Sequence, residues 1–318
     1  MNLLSFIIRK IIWEVPKLLQ LRMEIYIAIC LDIDRDAPFP IHGVSHGVCL
    51  PYHNLSSKIW KNPKNFTIEA TVLGLKKLFK IFEEFNYPFN CFIEASIIEN
   101  LIKEIPNFNK INNKTNCDLG LHGLYHEDLS GEQTGIKFSR EEEESILNQA
   151  YDIFESSFGI PPIGYRAPYL KISDNTFDLL SEKKFLYDSS QVITSNTTPQ
   201  LENGLISQIP VLRYETQQKP FISYFWTLFE RIRPVEQIVT LYREIIDKTK
   251  EKMKNSKSDS PYVLTLNLHP WHLAYSVNDK RYIDDTDIKY NTESLSKILR
   301  SISEIDNVSF VKISEILH

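Results

Sequence analysis

The feature that most restricts the fold of this chain is a nearly continuous apolar run at residues 24–31, with the sequence Glu-Ile-Tyr-Ile-Ala-Ile-Cys-Leu. Its β-branched residues predict a strand, and the absence of polar alternation predicts that both faces of the strand are buried. Strands of this kind are typical of parallel sheets that are covered on both sides. The run therefore favours an α/β protein with a parallel sheet.

Strand-like and helical patterns alternate along the rest of the chain. The spacing of apolar residues predicts helices at 67–87, 97–105, 139–158, 173–184, 234–250 and 295–302, and strands at 89–95, 117–121, 164–169, 185–187, 205–212, 261–268 and 308–313. Ser139 and Glu142 predict a capping box at the start of one helix, and the glutamates around them suit the positive end of a helix better than a metal site. Seven or eight strands alternating with helices predict one domain with a parallel, barrel-like sheet.

Charge and cysteine usage exclude some classes of function. The net charge of −5 argues against a general nucleic-acid binder, which would present a basic face. The four cysteines include no C-x-x-C pair, so the sequence predicts neither a disulfide scaffold nor a zinc ribbon. Cys30, Cys91 and Cys117 lie in or next to apolar strand-like runs, and this cysteine usage favours a reducing compartment.

Residues 1–23 are predicted to form an N-terminal amphipathic segment, and residues 24–318 the barrel domain. Arg9 and Lys10 interrupt the apolar residues of this segment, so no membrane-spanning run forms, and no signal peptide is clear. We expect the segment to pack on the barrel in a cytoplasmic protein. Peripheral contact with a membrane is the alternative.

Carboxylates and imidazoles follow the predicted strands. Asp32 and Asp34 come at the end of the first strand and, with a period of two, point to the same side. His122 and His126 are four residues apart, so on a helix they would share one face and supply half of a divalent-metal site. The loop residues His42, His46 and His53 repeat part of this pattern, but their Gly- and Pro-rich surroundings favour ordinary surface histidines or a loop over the substrate.

These residues occur in an order that resembles the five motifs of the polysaccharide deacetylases, carbohydrate esterase family 4. The later motifs are Arg166-x-Pro-Tyr169, Asp188 and Leu-His269-Pro, and the resemblance extends over about residues 25–271. It implies a distorted (β/α) barrel of seven or eight largely parallel strands. It also implies one divalent metal ion, usually zinc, with Co²⁺, Ni²⁺ or Mn²⁺ as alternatives.

The resemblance assigns a role to each motif residue. Asp34, His122 and His126 are then the metal ligands, and Asp32 is the general base. Arg166 would keep Asp32 ionised, the backbone N–H of Tyr169 would contact the oxyanion, and His269 would protonate the leaving amine. The two aspartates are adjacent in the usual motif, whereas Ile33 separates them here, a form that resembles peptidoglycan deacetylases.

Several roles have alternatives. Asp36 is a rival for the roles of the two preceding aspartates. Asp188 either orients His269 or caps a strand end. Tyr169 and Trp271 either stack against sugar rings or pack at the barrel rim. His272 is expected to neighbour the acid without being the acid.

The sequence therefore predicts a metal-dependent hydrolase that removes N-acetyl groups from sugars of a surface polysaccharide or its precursor. The alternatives are a hydrolase of a non-sugar amide or a formamido-sugar, and an inactive glycan-binding protein. The expected partner is an N-acetylated glycan or a small amide. The sequence makes no prediction of an oligomeric state.

Overall fold

A parallel sheet centred on the predicted first strand organises the fold. The structure is a computed structural model, and it describes residues 24–36, 67–194, 204–214, 221–222, 224–255 and 260–317. Its strands are β1 (Ile25–Ile33), β2 (Phe89–Ile93), β3 (Cys117–Leu121), β4 (Gly164–Tyr165), β5 (Tyr187–Asp188), β6 (Val192–Thr194), β7 (Ser207–Gln208), β8 (Val211–Tyr214), β9 (Phe221–Ile222), β10 (Tyr262–Leu268), β11 (Tyr275–Ser276), β12 (Arg281–Tyr282) and β13 (Val308–Phe310). Its α-helices are α1 (Glu69–Phe85), α2 (Ile98–Glu104), α3 (Ile111–Lys114), α4 (Arg140–Phe158), α5 (Thr176–Glu182), α6 (Trp226–Phe229), α7 (Val235–Asn255) and α8 (Asp285–Ser303).

The main sheet has the order β10-β1-β2-β3-β4-β5-β7, and β13 pairs with β1 outside this path. All of these pairings are parallel. The sheet curls into a half-barrel with helices around it, which confirms the predicted distorted (β/α) barrel in a single domain. β6, β8 and β9 form a separate three-stranded sheet, and β11 and β12 form a hairpin.

β1 has three partner strands. It pairs along 25–31 with β10, along 25–27 with β13 and along 30–33 with β2. Eight of its nine residues are buried, as the apolar run predicts. The interior of the barrel is closed by residues that follow β13, because Val311, Ile313 and Ile316 pack against Ala28 and Phe92.

The helix boundaries follow local signals where such signals exist. Ser139 and Glu142 form the predicted capping box of α4. The predicted helix at 295–302 begins ten residues earlier, as α8, because Asp284 caps it by accepting a hydrogen bond from the backbone N–H of Asp287. The strand predicted at 205–212 is in fact two strands, β7 and β8, which belong to different sheets.

Cys30, Cys91 and Cys117 are buried free thiols, as their apolar surroundings predicted. Within the described residues, every helix is too short or too polar to cross a bilayer. The predicted N-terminal amphipathic segment, 1–23, lies outside the described residues, as do His42, His46 and His53. The division at residue 24 stays a prediction.

A glycine lets α1 approach the turn that follows β10. A Cβ atom on Gly74 would lie 1.9 Å from the carbonyl oxygen of Pro270, a backbone atom that cannot rotate away. Glycine in a helix is less favourable than alanine by about 1 kcal/mol. The close approach explains its presence in the middle of α1, and it fixes the turn directly after His269.

We expect Gly74→Ala to lower the free energy of unfolding by about 1–3 kcal/mol, because the added methyl group overpacks this contact. Urea unfolding monitored by circular dichroism would measure the change. Helix propensity acts in the opposite direction, so a variant as stable as the wild type, or more stable, would contradict the role given to this contact.

Candidate active site

The polar residues that the sequence places after strands meet at one rim of the barrel, at the carboxyl ends of β1, β3, β4 and β10. A cavity of about 380 Å³ opens there. Its lining includes the following motif residues: Asp32, Asp34, His122, His126, Tyr169, His269 and Trp271. The carboxyl ends of parallel strands are the usual position of catalytic groups in barrel enzymes.

Asp34, His122 and His126 form a group whose ligand atoms all lie within 4.8 Å of one another. Their exposed fractions are 0%, 2% and 4%. Asp34 Oδ2 lies 3.3 Å from His126 Nε2. Asp34 Oδ2 and His122 Nε2 are buried and make no hydrogen bond within the described part of the chain. Buried polar atoms are normally satisfied, so these two atoms fit the first coordination shell of a cation.

The two histidines are brought together by a loop, so the helical spacing assumed from the sequence was wrong. His122 directly follows β3, and His126 has a positive φ of 57°. Gly123 also has a positive φ, 75°, and a Cβ there would lie 2.6 Å from Glu127 Oε1. The Glu127 carboxylate accepts hydrogen bonds from the backbone N–H groups of Leu124 and Tyr125. This buried carboxylate therefore shapes the loop that presents both imidazoles.

A hydrogen bond orients one of the candidate ligands, and burial shifts the pKa values of all three. His122 Nδ1 lies 2.8 Å from the carbonyl oxygen of Arg166, to which it donates if the proton is on Nδ1. Nε2 then keeps a lone pair for a metal. Burial lowers the pKa of His122 and His126, which favours neutral imidazoles. Burial raises the pKa of Asp34 to about 6, and a bound dication would favour its ionised form.

Asp32 is held by two donors. Arg166 Nη1 donates to Asp32 Oδ1 over 2.8 Å, and the hydroxyl of Tyr224 donates to Oδ2 over 2.5 Å. Burial alone would raise the pKa of Asp32, but Arg166, the nearby imidazoles and Tyr224 lower it to about 2. Asp32 is therefore an ionised carboxylate next to the ligand group, and Arg166 is the partner that the sequence predicted.

The side-chain hydrogen bonds of Asp188 within the described residues go to Ser190. Its carboxylate accepts hydrogen bonds from the backbone N–H of Ser190 at 3.0 Å and from the Ser190 hydroxyl at 2.6 Å. Ser189 accepts hydrogen bonds from Arg166, through its carbonyl oxygen at 3.0 Å and its hydroxyl at 2.7 Å. Of the two alternatives left by the sequence, these contacts favour the strand-end cap. The predicted role in orienting His269 has no contact to support it among the described residues.

His269 faces both aspartates. Its Nε2 lies 4.0 Å from Asp32 Oδ2 and 3.9 Å from Asp34 Oδ2, and its side chain is 26% exposed. The ring of Tyr224 stacks on it with centroids 5.3 Å apart. Burial lowers the pKa of His269 despite the two carboxylates. His272 Nε2 lies at hydrogen-bond distance, 2.9 Å, from Glu230 Oε1 and not from the two aspartates. His272 is therefore a neighbour of His269, as expected.

Tyr169 and Trp271 form parts of the cavity wall. The Tyr169 ring meets the His126 ring edge to face, with centroids 4.6 Å apart. Tyr169 and Leu170 both have positive φ, 59° and 57°, in the turn after β4. Two adjacent non-glycine residues in this region indicate backbone strain, which clusters at functional sites. Trp271 is only 5% exposed, and its indole N–H donates to Asp34 Oδ1 over 2.9 Å.

Asp36, the rival for the roles of Asp32 and Asp34, caps a helix. Its carboxylate accepts hydrogen bonds from the backbone N–H groups of Ala70 and Thr71 at the start of α1, at 3.1 and 2.8 Å. These bonds engage both of its oxygens, and Asp36 lies outside the group formed by Asp34, His122 and His126.

Sequence reasoning missed Tyr224 and Glu230. Tyr224 contacts both Asp32 and His269, and the Glu230 carboxylate lines the cavity and accepts from His272, Ser276 and two backbone N–H groups. Neither residue belongs to a motif or follows a strand of the main sheet. An isolated β-bridge between Tyr224 and Asn267 of β10 brings the segment around Tyr224 to the rim. No local sequence pattern predicts that pairing.

Comparison with known proteins finds similarity to one family over part of the chain. Residues 72–187 match the family model for polysaccharide deacetylase. A peptidoglycan deacetylase-like protein of Gibberella zeae is 35% identical over 74 residues, which are 23% of this chain and 20% of that protein. The peptidoglycan deacetylase of Helicobacter pylori is 27% identical over 121 residues, 38% of each chain. The chain thus matches less than half the length of either relative.

Solved structures share the fold over most of the chain. A protein from Mycobacterium smegmatis that carries the name polysaccharide deacetylase is 17% identical, with a TM-score of 0.59 over 92% of this chain and 89% of its own. An allantoinase is 14% identical, with a TM-score of 0.58 over 93% and 90%. Together these comparisons lead to one conclusion: the chain is similar in sequence to the polysaccharide deacetylases over residues 72–187 and shares the barrel fold of the two solved structures over most of its length.

Proposed function

We propose that this protein is a metal-dependent hydrolase that removes N-acetyl groups from sugars of a surface polysaccharide or its precursor. The observation that carries the proposal is the convergence of Asp34, His122 and His126 beside the Arg166-bound Asp32. The match of residues 72–187 to the polysaccharide deacetylase family model supports the reaction class, hydrolysis of the amide C–N bond of an N-acetyl group. The peptidoglycan deacetylase of Helicobacter pylori supports a glycan substrate.

The donor set suits zinc, with Co²⁺, Ni²⁺ or Mn²⁺ as alternatives. Two neutral imidazoles and one carboxylate match its preference for nitrogen and oxygen ligands and leave room for further ligands. When bound, the ion would polarise the acetyl carbonyl and make a water molecule more acidic. The identity of the ion and a cytoplasmic location stay predictions.

The residues of the chain would then move protons around this centre. Asp32 would accept a proton from the attacking water, for which its ionised carboxylate is suited. His269 would donate a proton to the leaving amine. Because burial keeps its imidazole neutral, it must first gain that proton, and Asp32 Oδ2 lies 4.0 Å from its Nε2. Arg166 would hold Asp32 in place throughout.

The cavity wall would bind the substrate. We propose that the backbone N–H of Tyr169 donates to the oxygen that becomes negative during attack. The Tyr169 ring and the accessible edge of Trp271 would contact the sugar. The aromatic side chains around the cavity favour the apolar face of a pyranose ring.

The test is acetate release from N-acetylglucosamine oligomers and lipid-linked N-acetyl sugars by purified protein of measured metal content. We expect about one metal ion per chain, acetate release, loss of release after chelation and recovery on adding Zn²⁺. The control is Asp34→Asn, which keeps the side-chain shape and removes the charged ligand. Full metal occupancy without release from any N-acyl sugar would contradict the proposal. Formamido-sugars and ureides in the same panel would identify the alternative amide hydrolase, and glycan binding without turnover would identify a binding protein.

A further inference from the structure

We propose that Trp271 is a positioning residue for the metal site: its indole N–H holds Asp34 Oδ1, so that Oδ2 alone faces the histidines. The inference rests on the proposed function, because it concerns the same ion. Trp271 would hold the candidate ligand Asp34 in the orientation that metal binding needs. This role is additional to forming part of the cavity wall.

The two oxygens of Asp34 have different surroundings. Oδ1 accepts the indole N–H of Trp271 at 2.9 Å. Oδ2 makes no hydrogen bond within the described residues and lies 3.3 Å from His126 Nε2. Over the described part of the chain, Trp271 is the only hydrogen-bond donor to this carboxylate. A carboxylate held at one oxygen is poised to bind an ion through the other oxygen only.

Packing fixes the indole that makes this bond. The Trp271 ring packs against two imidazoles, with centroids 5.2 Å from His269 and 4.8 Å from His272. Glu230 holds His272 Nε2 at 2.9 Å, and its side chain is 2% exposed. Glu230 also accepts the backbone N–H groups of Val277 and Asn278, so it ties the Trp271 turn to the following hairpin.

The approach of α1 fixes the backbone of the same turn. Because Gly74 has no side chain, α1 contacts the Pro270 carbonyl, directly before Trp271. The indole is therefore restrained through its backbone and through the ring contacts with His269 and His272. Such restraint is what a group outside the coordination shell needs in order to orient a ligand.

The consequence concerns affinity and coordination geometry. Without the indole N–H, Asp34 Oδ1 loses the only donor that the described residues supply, and the carboxylate can rotate. Asp34 could then bind the ion through both oxygens or lose alignment with the imidazoles. Loss of a partner that orients a ligand typically weakens metal binding about 10–100-fold.

Competition with a chromophoric chelator would test this on the full chain with Zn²⁺. We expect Trp271→Phe to weaken Zn²⁺ affinity by about 10–100-fold. Thermal unfolding of the metal-free protein would report whether the variant folds. The matched control is Trp226→Phe, at another part of the cavity wall, for which we expect wild-type affinity.

A second replacement removes the N–H and keeps the ring. Benzothienylalanine at position 271 substitutes sulfur for the indole N–H, so packing against His269 and His272 is retained. We expect the same loss of Zn²⁺ affinity, and a changed Co²⁺ absorption spectrum that reports altered coordination. Wild-type affinity and spectrum for this variant would overturn the inference. A wild-type protein that binds no Zn²⁺ would instead overturn the proposed function, so the two failures are distinguishable.

Discussion

Replacement of Asp32 by asparagine is expected to lower kcat for acetate release by about 10²–10⁴-fold, the usual contribution of a general base. Asparagine keeps the size of the side chain and a carbonyl oxygen for Arg166, but it cannot accept a proton. Because Asp32 is not one of the three grouped ligands, we expect the metal content to be unchanged. Steady-state kinetics combined with metal analysis of the same sample would measure both effects.

Asp36→Asn is the matched control for this experiment. Asp36 follows Asp32 on the same segment, but its carboxylate accepts from the start of α1. An asparagine there can still accept a hydrogen bond, so we expect a kcat close to that of the wild type. Equal losses of kcat in the two variants, or loss of metal from Asp32→Asn, would contradict the role proposed for Asp32.

Arg166→Met is expected to lower the free energy of unfolding of the metal-free protein by about 3–5 kcal/mol, because it leaves a buried charge without its partner. Arg166 and Asp32 are 0% and 2% exposed at their side chains, with 2.8 Å between Nη1 and Oδ1. The change also removes the donors to Ser189. Urea unfolding would measure the difference in stability.

Two controls distinguish the effect of breaking the buried Arg166–Asp32 pair on stability from the effect of removing any arginine. Arg140→Met removes a partially exposed ion pair with Glu182, for which we expect a change below about 1 kcal/mol. Adding Asp32→Asn to Arg166→Met removes the unpaired charge, so the double variant should recover part of the lost stability. If Arg166→Met and Arg140→Met were equally stable, the buried pair would not have the importance given to it here.

The elements with strong local signals were predictable. β1 follows from its uninterrupted apolar run, and α4 follows from Ser139 and Glu142, because both signals lie within a few residues. The assembly of Asp34 with His122 was predictable because both follow parallel strands, whose carboxyl ends meet at one rim. β7 and β8 were merged in the prediction because the change of sheet between them depends on distant partners.

The arrangement around the ligands was less predictable. Spacing suggested a helix for the two histidines, whereas the loop depends on Gly123 and on the local acceptor Glu127. Trp271 and Asp34 are in contact although they lie far apart in the sequence. The same is true of Tyr224 and Asp32. Such contacts arise from tertiary packing, so no window of sequence contains them.

The three-partner arrangement of β1 has a consequence for biosynthesis. β10 and β13 lie far downstream of β1 in the chain, so a growing polypeptide on the ribosome exposes much of this apolar strand until most of the barrel has been translated. Pairings between distant segments slow folding, and unprotected strand edges favour aggregation in the meantime. We therefore expect good yields of folded protein to depend on slow expression at low temperature or on extra chaperones.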